Sequence, residues 1–175
     1  MYLVQYRDDT NYSELKVQYC KDPLDVEKMW NLDDSAISIV DVIEVDEYFR
    51  LVVAGSRDFD DYALLSRHLD HLLQHKKNIV IVSGNAIGAD MLGERYANER
   101  GYFIDTYIPN WRPRGPRGPV DRSAGHRRNA DMADNGDALV AFWDSISKGT
   151  AGMINIAKNK GLQVRVIHYN KEGVV

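Results

Sequence analysis

From Leu51 onward the apolar positions follow two alternating rhythms. Short uninterrupted runs, LVVAG (51–55), NIVIVSG (78–84), YFIDTYIP (102–109), DALVAFW (137–143) and LQVRVIHY (162–169), have the length and β-branched content of strands. Between them lie stretches in which apolar residues recur every three or four positions. DYALLSRHLDHLLQHKK (61–77) puts Leu64, Leu65, Leu69, Leu72 and Leu73 on one helical face. AIGADMLGERYANERG (86–101) predicts a helix closed by Gly101, SAGHRRNADMADNG (123–136) a helix with Ser123 as N-cap, and SKGTAGMINIAKNKG (147–161) a loop and helix.

Strands that alternate with helices pair in parallel through right-handed crossovers, so the pattern predicts a Rossmann-like three-layer α/β/α domain with a mainly parallel sheet over residues 49–175. Residues 1–48 break the rhythm. MYLVQY, ELKVQYC and SAISIVDVIEV read as strands and DPLDVEKMW as a short helix with Pro23 near its start. They form a small β-rich α+β appendage, either packed on the sheet or used for self-association.

Composition narrows the class. With 175 residues, 44% hydrophobic and 27% charged, the chain has enough apolar surface to build a core, and no apolar run approaches the length that spans a bilayer. The opening MYLVQYRDDT turns polar and acidic at once, which predicts no signal peptide. A single cysteine, Cys20, allows no internal disulfide or cysteine-based metal cluster and fits a reducing cytoplasm, where it serves as a small packing residue. Nothing calls for a cofactor, and no membrane partner is expected.

Charge changes the picture more. The chain carries −4 overall, yet WRPRGPRGPVDRSAGHRRN gathers Arg112, Arg114, Arg117, Arg122, Arg127 and Arg128 against the one carboxylate Asp121. Glycine and proline keep this stretch out of regular structure, and clustered arginines repel unless water or an anion separates them. Either the loop is solvated or something small and anionic belongs there.

In parallel sheets ligands bind beyond the carboxyl ends of the strands. The loops that open on that edge are AGSRDF, SGNAIGAD, the arginine stretch and DSISKGTAG. Gly55 allows close approach, Ser56 offers a hydroxyl and Arg57 a bidentate fork, or Arg57 simply pairs with Asp58 or Asp60. In SGNAIGAD, Gly84, Asn85, Gly88 and Ala89 precede Asp90, which either contacts a ribose hydroxyl or only complements the helix dipole. Ser147, Gly149 and Thr150 open another helix, with an N-capping role as the plainer alternative. Trp111 and Trp143 stack on a base or close the core edge. Neither GxGxxG nor a Walker lysine is present, nor a GxSxG elbow or a Cys/His pair, so catalytic residues are not readable. His68, His71 and His75 share a charged helix face, read as solvated; no metal site is expected. Together the junctions predict a pocket for a nucleotide or sugar phosphate.

GSRDF, SGNAIGAD, the P-x-W of PNW, AGHRRNADM, DALVAFW and SKGTAGM, in this order, resemble the SLOG superfamily of Rossmann-like proteins, nearest to bacterial and phage members related to YspA and YpsA. The resemblance covers residues 50–169 and leaves out the appendage. That superfamily includes cytokinin-activating phosphoribohydrolases, the DNA-processing protein of natural transformation and nucleotide-sensing domains. It implies a nucleotide-derived ligand held by Gly55, Ser56, Arg57, Gly84, Gly88, Ala89, Asp90, Gly125, Arg128, Asn129, Ser147, Gly149, Thr150 and Met153. Two positions depart from the pattern. Met153 stands where phosphoribohydrolases carry a catalytic glutamate, and a thioether moves no proton. Asn85 replaces a second glycine. The implied function is therefore binding of a nucleotide-derived ligand, as a sensor or sequestering protein, with N-glycosidic hydrolysis as the first alternative and single-stranded nucleic-acid binding through the arginines as the second.

Overall fold

The computed structural model describes residues 2–8, 16–20, 37–44 and 47–170. The chain divides into two compact units, residues 1–48 and 49–175. In the first, β1 (Tyr2–Asp8) pairs antiparallel with both β2 (Lys16–Cys20) and β3 (Ile37–Glu44), in the order β2-β1-β3, with a bulge between Gln5 and Tyr6. The DPLDVEKMW helix and the side chain of Cys20 lie outside the described residues.

The second unit is built on five strands: β4 (Phe49–Gly55), β5 (Ile79–Ser83), β6 (Phe103–Thr106), β7 (Ala138–Trp143) and β8 (Gln163–His168). All neighbours are parallel, in the order β6-β5-β4-β7-β8. Each crossover carries a helix: α1 (Tyr62–Leu73), α2 (Ala89–Arg100), α3 (Ala124–Asp134) and α4 (Lys148–Asn159). Helices α1 and α2 contact each other, as do α3 and α4. Crossovers that run outward from β4 in opposite directions place the two pairs on opposite faces. The sheet is therefore a middle layer, the Rossmann-like α/β/α arrangement.

Burial on both faces explains the strand sequences. Every residue of β5 is buried, and Leu51, Val53, Ile79, Ile81, Ala138, Val140 and Phe142 form one face of the core with Leu65, Leu69 and Leu73 of α1 and Tyr96 and Ala97 of α2. The helix expected over 61–77 stops at Leu73, where its apolar face ends; the following QHKK tail has nothing to bury. Asp61 caps it, accepting from the Leu64 N–H at 2.8 Å. Gly101 closes α2 in the left-handed region (φ 68°), its N–H bonding back to Asn98. β6 ends at Thr106, earlier than the sequence run, because it is an edge strand and Ile108 beyond it stands 74% exposed.

Strand order reverses at β4, with β5 and β6 on one side and β7 and β8 on the other. The carboxyl ends of β4 and β7 therefore flank the topological switch point, the place where such sheets hold ligands.

Candidate functional site

Gly55 ends β4 opposite Phe142. A Cβ there would overlap the Phe142 carbonyl and come within 2.6 Å of the Ala89 methyl, so glycine lets the strand end, β7 and the start of α2 meet. The next residue, Ser56, is buried and donates its N–H to the Phe142 carbonyl at 3.0 Å. Arg57 then turns into solvent. Among the described residues its guanidinium has no ion-pair partner, so the alternative pairing with Asp58 or Asp60 is not seen. Asp58 instead accepts from the Tyr169 hydroxyl at 3.1 Å.

The loop after β5 supplies the other wall. Gly88, at the N-cap of α2, has φ 88°, and a Cβ would stand 2.7 Å from the Arg57 carbonyl oxygen. Glycine here brings the two loops together, and the first turn of α2 receives no side-chain cap. Asn85, where the SLOG resemblance expects a second glycine, has a left-handed backbone with φ 53° and is exposed.

Asp90 is buried beneath this loop. One carboxylate oxygen accepts from the N–H groups of Gly84 (3.1 Å) and Ala86 (3.4 Å) and lies 3.6 Å from the Arg128 guanidinium. Burial pushes its pKa up to about 6, against the pull of Arg128 and the two amides. Arg128 reaches across from α3 and donates to the Gly84 carbonyl. Its guanidinium occupies the space that any side chain at 84 would need, which accounts for Gly84. Burial lowers the Arg128 pKa, and the neighbouring positive charge of Arg57 lowers it further. Its Nε is buried with no hydrogen-bond partner.

The remaining expected residues fall into two groups. Trp111 is 42% exposed with its ring edge against Gly125, and Asn129 is partly exposed one position beyond Arg128. Gly149 starts α4 with open space on its side. In contrast the side chains of Ala89, Thr150 and Met153 are buried. Thr150 donates to the Ser147 hydroxyl at 3.1 Å, and neither Ser147 nor Ser123 caps its helix by side chain. Ser123 bonds Asp121 and Arg127 instead. In the arginine loop Arg112 holds the Gly118 carbonyl and Arg127 the Asp121 carboxylate; Arg114, Arg117 and Arg122 are exposed, with no ion pair among the described residues.

Three carboxylates on this edge are engaged internally. Glu94 accepts from the Ser83 hydroxyl at 2.6 Å, Asp144 from the N–H groups of Ile146 and Ser147 at 3.0 and 2.8 Å, and Asp90 as described. A contact that sequence spacing did not reveal joins Ser145 to His168, at 2.9 Å across the ends of β7 and β8. His68, read as solvated, is partly buried with its ring 6.3 Å from that of Phe142, and burial lowers its pKa. A cleft of about 260 Å³ lined by Phe49, Leu72, Lys76 and Arg165 lies at the opposite end of the strands, away from these loops.

The two loops that meet at Gly55–Arg57 and Gly84–Asp90 carry a family signature. Residues 49–113 match YAcAr, the YspA, cpYpsA-related SLOG family. The SLOG resemblance read from the sequence thus holds over β4, β5, β6 and both glycine-bearing loops. No curated protein matches the sequence. Among solved structures, DNA processing protein A (DprA) from Streptococcus pneumoniae aligns with a TM-score of 0.56 at 20% identity, over 71% of this chain and 51% of that one. This chain therefore spans about half of DprA, and the likeness is one of fold. Ferredoxin-NADP+ reductase from Plasmodium falciparum with 2'P-AMP aligns over 95% of this chain and 82% of that one, at 10% identity and a TM-score of 0.28, too low to bear on the fold.

Proposed function

We propose that this SLOG-like unit binds a nucleotide-derived ligand through its phosphate, at the switch point between β4 and β7. The observation that carries the reading is the pairing of Arg57 with Arg128. One guanidinium is exposed without a counter-charge among the described residues, the other is half-buried against Gly84 and Asp90 with its Nε buried and unpartnered, and the positive charge of Arg57 adds to the burial that depresses the Arg128 pKa. Beside them the first turn of α2 offers uncapped N–H groups. Cations beside helix-start amides suit an anion, and a phosphate oxygen would engage both.

The same edge does not favour N-glycosidic hydrolysis. Met153, at the position of the catalytic glutamate, is buried, and Asp90, Glu94 and Asp144 are each held by internal donors. Binding without that chemistry, as in a sensor or a sequestering protein, is the function proposed. The test is mass spectrometry of small molecules released by denaturing the purified protein, with Arg57→Ala alongside. A phosphate-bearing nucleotide recovered from wild type and lost from Arg57→Ala supports the site. An equal yield from both places the ligand elsewhere. An empty protein that instead retains a single-stranded oligonucleotide at low salt moves the reading to nucleic acid.

A further inference from the structure

Three non-glycine residues among the described ones have left-handed backbones: Asn78, Asn85 and Ser145. Asparagine tolerates that region, whereas serine enters it against a steric cost. Ser145, with φ 65°, lies in the sharp connection between β7 and α4, and a residue held in such a conformation at a strand-to-helix turn is a mark of function. What the strain achieves is visible. The Ser145 hydroxyl meets Nδ1 of His168, the last residue of β8, at 2.9 Å, and both side chains are exposed. The imidazole is flanked by the Trp143 ring at 5.6 Å, and that indole is itself fixed by donating to the Ser147 carbonyl at 3.0 Å.

We propose that Ser145 and His168 form a nucleophile–base pair that cleaves small carboxylic esters. The pair lies beside the proposed phosphate site but uses neither Arg57 nor Arg128. His168, protonated on Nε2, takes the hydroxyl proton at Nδ1 as the Ser145 oxygen attacks the ester carbonyl carbon; the carbonyl π pair moves to its oxygen. Collapse expels the alcohol oxygen, which receives that proton and leaves an acyl-Ser145 ester. Water then repeats the sequence: it gives a proton to His168, its oxygen attacks the acyl carbon, and the proton returns to the Ser145 oxygen as the carboxylic acid departs. The start of α4 lies three residues on; Asp144 accepts from the N–H groups of Ile146 and Ser147, which leaves those of Lys148 and Gly149, with open space at Gly149, as the donors for the oxyanion. Ile146, 78% exposed, offers an apolar surface for a short acyl chain.

The experiment treats the full chain with a fluorophosphonate probe and, separately, with p-nitrophenyl acetate, comparing wild type, Ser145→Gly and His168→Ala. Glycine accepts φ 65°, so Ser145→Gly keeps the fold, and its melting temperature should equal or exceed that of wild type. The expected result is one covalent adduct on the peptide containing Ser145, absent from Ser145→Gly, with ester hydrolysis reduced at least tenfold in both variants. Wild type unlabelled at Ser145, or a Ser145→Gly protein hydrolysing the ester at the wild-type rate, overturns the proposal.

Discussion

Asp90 is a carboxylate whose charge the fold resists. Burial raises its pKa from an ordinary 3.8 to about 6, so between those values the folded chain holds a proton that the unfolded chain has released. Stability from this group is therefore greatest below pH 4 and declines as pH rises through 6, by about 3 kcal/mol for a shift of this size. Asp121, held at about 2 by Arg127 and Ser123, acts in the opposite sense and only as pH falls below 4. Denaturant unfolding at pH 4.5 and pH 7 should show that lowering the pH favours wild type more than Asp90→Asn, since the lowered pKa of His68 opposes the effect equally in both. Gly88 is the second residue with a measurable demand. Its positive φ and its approach to the Arg57 backbone predict that Gly88→Ala costs about 1–3 kcal/mol, read as a lower midpoint in the same titration.

At the scale of elements, one side chain ties the central strand to an edge strand. Arg50 of β4 reaches past β5 to the Asp105 carboxylate on β6 and also donates to the Asn135 carbonyl after α3; Asp105 is 2% exposed. Removing Arg50 takes the cation from a buried carboxylate that keeps its contact with Tyr107, so Arg50→Ala is expected to destabilise by about 3 kcal/mol, measured by denaturant unfolding. The elements themselves were readable from the chain because buried parallel strands appear as unbroken apolar runs, and α1 shows a leucine stripe. Their ends were less so. The 61–77 helix stops when its apolar face stops, which polar helix formers such as Gln74 and Lys76 do not announce. Site loops were legible through their glycines, since Gly55, Gly84 and Gly88 each answer a steric requirement. The partners that create those requirements were not, because Arg128 is 44 positions from Gly84 and His168 is 23 from Ser145. Only the fold sets such distances.

For the whole molecule, the central fact is where charge lies. A chain of net −4 concentrates arginines in the loop after β6 and at the start of α3, and Arg57 comes to the same edge from the loop after β4. The opposite edge holds the cleft lined by Phe49, Leu72, Lys76 and Arg165 and neither of the loops at Gly55–Arg57 and Gly84–Asp90. A field focused in this way attracts an anion to one end of the sheet, and salt weakens the attraction over a Debye length of about 8 Å at physiological ionic strength. The most direct test is a thermal-shift titration of wild type with nucleoside monophosphates, ADP-ribose and the matching nucleosides, repeated with Arg57→Ala. A ligand at 100 times its dissociation constant adds about 2.7 kcal/mol to folding. The account predicts a rise in melting temperature with at least one phosphate-bearing compound, none with the nucleosides, and a smaller rise in Arg57→Ala. No shift with any phosphate-bearing compound, or an equal shift with the nucleosides, would contradict it.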